Sequence, residues 1–275
     1  MQSRQAISRF RRDLTLSTAL NFVLALGAVV CILLPLGTGG FIGTMLLTVV
    51  GTVWLILSYQ SIKGSRLAMS SPGLIAQGKL EDAEHQIEQS LKSFSLFRAA
   101  KLLSLHHLAL LRHAQKRYED SAQLSRELIK QRAKSLGHVQ RQSQLLLAEA
   151  LLELGDLNGA YQAISQLYRQ RLSLSEALNL LAVQLDYQTR INAWEQIFQG
   201  ITHQVQLAEL MQSPKAARVQ AQLALAARKV GREDWAQWLR KRAELLADVG
   251  EMTKARPMLW ELWAAPGSET ASSTG

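Results

Sequence analysis

The sequence has a long gap in its charge: from Leu14 to Ile62 there is no Asp, Glu, Lys or Arg, 49 residues in succession. Cysteine is nearly absent as well. Cys31 stands alone, which excludes an intrachain disulfide and any fold that depends on one. It also fails as a lipoprotein acceptor. Val30 precedes it where such signals need a small residue, and the apolar run continues through Ile32, Leu33 and Leu34. A cleaved leader is disfavoured for a related reason, because cutting near Gly27 leaves an apolar stub that runs into a second apolar stretch. Proline is scarce, with five in 275 residues, and aromatics make up 6%. No run of alternating β-branched residues suggests a strand. What remains favours helix, and the chain reads as all-α.

The uncharged stretch divides into two apolar runs, about 14–34 and 41–59, around Pro35-Leu36-Gly37-Thr38-Gly39-Gly40. Each is long enough to cross a hydrocarbon core, which takes roughly 20 residues of helix. The expectation is a transmembrane hairpin integral to the lipid bilayer. Arg4, Arg9, Arg11 and Arg12 precede it, Lys63 and Arg66 follow it, and the loop carries no charge. The bias predicts both termini on the cytoplasmic side of a bacterial inner membrane. Within the hairpin, Thr44, Thr48 and Thr52 recur every fourth residue and face a comparable stripe of Asn21, Ala25 and Ala28. Small and hydroxyl-bearing residues at this spacing predict the packing contact between the two helices. The layout is then a basic segment 1–13, a hairpin 14–62, a helical domain 66–264 and a disordered tail 265–275.

Past Met69 the apolar residues follow helical spacing. Ser173 with Glu176 spells a capping box, and Ser213-Pro214 a cap followed by proline at the first helical position. A motif also repeats. Gly78-Lys79-Leu80-Glu81-Asp82-Ala83, Gly155-Asp156-Leu157-Asn158-Gly159-Ala160, Gly231-Arg232-Glu233-Asp234-Trp235-Ala236 and Gly250-Glu251-Met252-Thr253-Lys254-Ala255 share a glycine, a polar turn and an alanine five residues on. Lys116-Arg117-Tyr118 with Ser121 is a weaker copy. The unit these describe is a helix, a tight turn and a second helix whose early small residue permits close crossing.

These motifs resemble the second half of the tetratricopeptide repeat, over about Ser70 to Trp263. The resemblance implies an α-solenoid of about five antiparallel helix pairs, whose groove binds a protein or peptide. Departures are visible. The first helices lack Trp, and no proline closes each repeat. Gly78 and Lys116 lie 38 residues apart, but Gly231 and Gly250 only 19. Leu174 to Gly200 matches loosely.

Chemistry is harder to find. The glycines at 37, 39, 40 and 43 follow no strand and lack a Gly-Lys-Ser/Thr ending, which excludes a phosphate loop. His106, His107 and His113 cluster in sequence without a Cys ligand or a helical i, i+4 pair, so they read as core residues rather than metal ligands. No nucleophile elbow or paired catalytic carboxylates occur. No enzymatic activity, cofactor or metal is expected. The formal charge of +9 concentrates in Arg112, Lys116, Arg117, Arg126, Lys130, Arg132, Lys134 and Arg141. Such a stretch can attract acidic peptides or anionic lipid headgroups. No aromatics interleave to stack bases, which argues against nucleic acid. Trp235, Trp238, Trp260 and Trp263 form two i, i+3 pairs near the end of the array, where a terminal repeat lacks a covering neighbour.

The expected function is a membrane-anchored scaffold or adaptor, with Arg112, Lys116, Arg141 and Trp260 as partner contacts. The alternatives are an assembly factor acting through the hairpin and an RNA or anionic-lipid binder acting through the basic stretch.

Overall fold

The structure is a computed structural model that describes residues 3–33, 41–93, 95, 97–131 and 137–264. Every regular element among them is helical. The chain forms two compact units, 1–155 and 156–275. The first contains α1 (Ser3–Leu33), α2 (Phe41–Ala76), α3 (Leu80–Lys92), α4 (Arg98–Ala114), α5 (Tyr118–Lys130) and α6 (Gly137–Glu153). The second contains α7 (Leu157–Tyr168), α8 (Leu174–Arg190), α9 (Trp194–Gln199), α10 (Ile201–Glu209), α11 (Ser213–Lys229), α12 (Glu233–Leu246), α13 (Val249–Ala255) and a 3-10 helix, Pro257–Leu262.

One local device recurs along the chain. Gly78, Lys116, Gly155, Asn192 and Gly231 have φ of 76°, 59°, 77°, 56° and 76°, at separations of 38, 39, 37 and 39 residues. A helix ends two residues before each of them and another begins two residues after. The left-handed residue lets the next amide turn back onto the helix it leaves. Lys79 N–H donates to the Leu74 carbonyl at 3.0 Å, Arg117 to Arg112 at 2.8 Å, Ala193 to Gln188 at 2.9 Å and Arg232 to Ala227 at 2.8 Å. This bond satisfies a carbonyl that the helix end would leave without a partner. Glycine reaches this conformation without steric cost, and Asn reaches it more readily than most residues.

Packing repeats with the turns. Seven residues before each turn stand Ser71, Ala109, Ala148, Leu185 and Ala224, all fully buried. Five residues after stand Ala83, Ser121, Ala160, Ile197 and Ala236, also buried. The second pair shows why small side chains are needed there, because Ser121 Oγ donates to the Ala109 carbonyl at 3.0 Å across the crossing. In unit 1, α3 packs on α2 and α4, α5 on α4 and α6, and α2, α4 and α6 touch in turn. In unit 2, α8 and α11 play the corresponding parts, with α9 and α10 together filling the place of one second helix. Ile197, Ile201, Val205 and Ala208 keep one buried face through the break at Gly200.

Several sequence expectations change. Asn192 is a repeat turn, so Leu174 to Gly200 belongs to the array. Gly250 is not one: Asp248 caps α13 by accepting from Glu251 N at 3.0 Å, which puts Gly250 inside that helix's first turn. The capping box at Ser173 forms, with Glu176 N donating to Ser173 Oγ at 3.3 Å and Ser173 N to Glu176 Oε2 at 2.8 Å. At α11 the cap is Gln212, one residue earlier than expected. Ser70-Ser71-Pro72-Gly73, which spells a turn, is helix. α2 runs through Pro72, at the loss of one backbone bond, and its last turns form the first helix of the first repeat.

The expected membrane hairpin and bacterial inner-membrane location are overturned, since among the described residues no helix is long and apolar enough to cross a membrane. Neither helix is confined to its apolar run. α1 starts at Ser3 and carries Arg4, Arg9, Arg11, Arg12 and Asp13 in its first three turns, while α2 continues past Lys63 and Arg66. The connecting residues Pro35 to Gly40 lie outside the described residues. The predicted packing stripe is not buried either. Asn21, Thr48 and Thr52 are exposed, and Thr52 Oγ1 bonds back to the Thr48 carbonyl of its own helix at 2.8 Å. The side chain of Thr44 lies outside the described residues. Within 14–62 the buried small residues, among the described side chains, are Ser17, Ser58 and Ser61. Leu16, Phe22, Met45, Val49, Leu55 and Tyr59 stay exposed, an apolar extent that globular domains rarely leave uncovered. The tail 265–275 also lies outside the described residues.

The start of α1 docks on unit 1 instead. Ala6, Ile7 and Phe10 insert into the core formed with Ala83, Ile87, Leu91, Leu105 and Leu128. Arg11 donates to Glu127 through Nε at 3.0 Å and Nη2 at 2.7 Å, and holds that carboxyl below its ordinary range. Asp13 meets Lys101 Nζ at 2.9 Å. Lys101, only 2% exposed, also donates to the carbonyls of Leu91 and Ser93 where α3 ends, at 2.7 and 2.5 Å. Burial lowers its pKa and Asp13 opposes the shift. A buried ammonium with four oxygen partners, the Ser90 carbonyl at 3.5 Å being the fourth, holds α1, the end of α3 and α4 together.

Candidate functional site

Consecutive first helices are joined by buried polar side chains about one repeat apart. In unit 1, Ser71 Oγ pairs with His107 Nδ1 at 3.1 Å, and His106 Nδ1 with Ser143 Oγ at 2.9 Å. These two histidines are core residues. Burial, reinforced by His107 and His138, pushes the His106 pKa down to about 3, so its imidazole is neutral. Among the described residues no group of three or more His, Cys, Asp or Glu could hold a metal ion.

In unit 2 the equivalent contacts are Lys215 to Asn179 and Gln222 to Asp186. Asp186 differs in being a carboxylate at 5% exposure in a helix face otherwise lined by Ala182, Val183 and Leu185. Its countercharge comes from the far end of the unit. Arg256, between α13 and the 3-10 helix, donates through Nε at 3.2 Å and Nη2 at 2.5 Å to the two Asp186 oxygens. A buried carboxylate needs such a partner, since an unpaired one costs several kcal/mol, on the order of 3–5.

From Arg256 onward the chain lies against α11 and α12. Leu259 and Leu262 are buried in the core of the unit, beside Leu223, Leu239 and Ala243. The main chain between them is read by side chains: Arg228 Nη1 donates to the Glu261 carbonyl at 2.5 Å and Arg240 Nη1 to the Leu262 carbonyl at 3.4 Å. At the rim Lys229 meets Glu261 at 2.5 Å and Trp263 Nε1 meets Glu244 at 2.7 Å. A cavity of about 310 Å³ adjoins the end of the segment, bounded by Arg228, Glu233, Gln237 and Arg240. This face of α8, α11 and α12 is a seat for an irregular segment, with a carboxylate at one end and two guanidiniums along it.

The residues predicted as partner contacts fall in both units, Arg112, Lys116 and Arg141 in the first and Trp260 in the second. Arg112 is 1% exposed, and its guanidinium donates to Glu84 from Nη2 at 2.8 Å and Nη1 at 3.2 Å. It ties α3 to α4, and Glu84 is held down to a pKa of about 2 chiefly by that hydrogen bond. Lys116 is exposed, but it is the left-handed turn residue after α4. Arg141 is half-buried near the start of α6, ten register positions earlier in its repeat than Arg112, or roughly 15 Å along a helix. Trp260 is 60% exposed on the outer side of the 3-10 helix. Trp235 and Trp238 stack edge-on at 5.6 Å in α12, with Arg242 over Trp238 at 4.9 Å.

Sequence reading missed Asp186, Arg228, Arg240 and Arg256. One signal was available for Asp186, a lone acid inside the apolar stripe Leu178-Leu181-Ala182-Leu185, which requires a buried cation. Nothing local announces that the cation is Arg256, 70 residues later. Compared with family models, with curated proteins and with solved structures, the chain matches none.

Proposed function

We propose that the chain is a helical-repeat scaffold that binds a protein or peptide partner and performs no chemistry of its own. The observation that carries this reading is the fivefold recurrence of one helix–turn–helix unit with buried residues at fixed positions on either side of the turn, small in four of the five repeats. Stacked units of this kind bury a continuous core with their neighbours and leave long faces for ligands, which is how repeat arrays act. The unit is similar in design to the tetratricopeptide repeat, although its period of 37 to 39 residues exceeds that family's roughly 34. The seat on α8, α11 and α12 supports the reading further, because it already holds a segment through main-chain carbonyls.

Affinity capture with the full chain, followed by titration of the purified candidate, tests the proposal. A one-to-one complex with Kd of about 1 μM or tighter is expected. A purified chain that forms no complex and instead turns over a small molecule contradicts it.

A further inference from the structure

We infer that the face formed by α8, α11 and α12 is a peptide-binding site whose resident occupant is the chain's own segment Arg256–Trp263, and that it takes partner segments carrying arginine followed by leucine three and six residues later. The inference rests on the scaffold reading and names the partner chemistry of one face.

The argument starts from how the resident segment is held. A long helix packed on an array meets its neighbours mostly through side chains, because its backbone bonds are internal except at its ends. Here the segment is a single short 3-10 stretch, Pro257–Leu262, and the carbonyls that its end leaves open, at Glu261 and Leu262, accept from Arg228 and Arg240. Hydrogen bonds of this kind do not depend on the identity of the side chain, so another segment of the same backbone shape can make them. Selectivity comes chiefly from three places, Asp186 for a guanidinium and the two sites that bury Leu259 and Leu262, with Lys229 and Glu244 adding contacts at the rim. Residues facing outward are free to vary, as the 60% exposure of Trp260 shows. The cavity beyond Leu262 leaves room for chain that continues past the resident's last contact.

The ligand class follows from the same geometry. The carboxylate of Asp186 accepts on both oxygens from one guanidinium, a bidentate arrangement that lysine cannot reproduce. Aliphatic side chains at plus three and plus six from the arginine fall on one side of a 3-10 or helical turn, where the unit's core receives them. Because the resident is covalently attached, it competes at a high local concentration, so the site is closed at rest and opens to a partner that binds more tightly or arrives in excess.

The test titrates a fluorescein-labelled peptide of sequence Arg256–Trp263, blocked at both ends, into the full chain and reads anisotropy. The wild type should bind weakly. Arg256→Ala, which loosens the resident and leaves the seat intact, should bind the peptide at least tenfold more tightly. Adding Asp186→Asn to Arg256→Ala should abolish most of that gain, and a peptide with lysine in place of its arginine should bind at least tenfold less well. Where circular dichroism shows Arg256→Ala to be unfolded, Glu261→Lys takes its place. It sets a cation against Lys229 at the rim without touching the core, and threefold or greater tightening is expected. Equal affinity of the wild type and the folded loosened variant, or no saturable binding to either, overturns the inference. A partner that binds the full chain and is not displaced by the peptide overturns this assignment alone and leaves the scaffold reading standing.

Discussion

The two units use one repeat but close their ends in different ways. Unit 1 is closed by the first turns of α1, a regular helix that hides its own backbone and docks through Ala6, Ile7, Phe10, Arg11 and Asp13. Unit 2 is closed by a 3-10 segment whose carbonyls are taken by Arg228 and Arg240. The internal contacts differ in the same sense. Unit 1 joins its first helices with His–Ser pairs, whereas unit 2 uses Asp186 with Gln222 and Arg256. Side-chain docking of a helix is specific to one sequence and durable. Backbone docking of a short segment is tolerant and exchangeable. On the proposed reading, the first unit supplies stability and the second recognition.

The comparison breaks most sharply at two arginines that pair with acids, the buried Arg112 and the half-buried Arg256. Arg112→Ala strands Glu84 beside α4 and should cost about 3 kcal/mol in unit 1, read as a fall in urea midpoint by circular dichroism. Arg256→Ala should cost less, about 1–2 kcal/mol, because the short segment it anchors can open locally and let water reach Asp186 in place of the lost guanidinium. Equal losses would remove the distinction between the units.

Next in size are the turns. Gly155→Ala forces a Cβ onto a φ of 77° and should destabilise by about 1–2 kcal/mol. Lys116→Gly relieves the same strain at 59° and should stabilise by about 1 kcal/mol. If Lys116→Gly destabilises instead, that turn is not left-handed and the repeat loses a member.

Acid should loosen unit 1 first. The His106 imidazole takes up its proton near the ordinary 6.5 when unfolded but only near 3 when folded. Its contribution is therefore complete above pH 6.5 and is lost as pH falls from there towards 3. Glu84, ordinarily near 4.5 and held at about 2, adds a second loss between those values. Urea midpoints measured from pH 7.5 to pH 4 should fall, and His106→Gln should flatten the part above pH 4.5. A profile unchanged by that substitution contradicts the assignment. The smallest effect is expected from Lys116→Glu, which touches nothing buried and should shift stability by no more than about 0.5 kcal/mol.

Much of this fold was legible in the chain, because turn glycines and crossing alanines are local signals. Gly78, Gly155 and Gly231 mark three of the five turns directly. Asn192 escaped notice because a left-handed turn without glycine carries no distinctive spelling, and Leu185 replaces the usual small residue at its crossing. Gly250 misled for the opposite reason: the hexapeptide has the right letters, but Asp248 two residues earlier caps a helix that contains it. The apolar runs were visible, yet their helices extend into charged flanks that only tertiary contacts reveal. The candidate site was hardly legible. Arg112 looks like part of a basic surface until Glu84, 28 residues away, is placed against it. The Asp186–Arg256 pair spans 70 residues and obeys no periodicity.

Hydrogen exchange on the full chain, resolved by segment near neutral pH, tests the division of labour most directly. The amides of residues 258–263 should exchange at least tenfold faster than those of α11 and α12 beneath them, while the first turns of α1 exchange as slowly as α4. A segment 258–263 protected as fully as α11 would contradict the account, since an occupant that leaves only when its unit unfolds cannot give way to a partner.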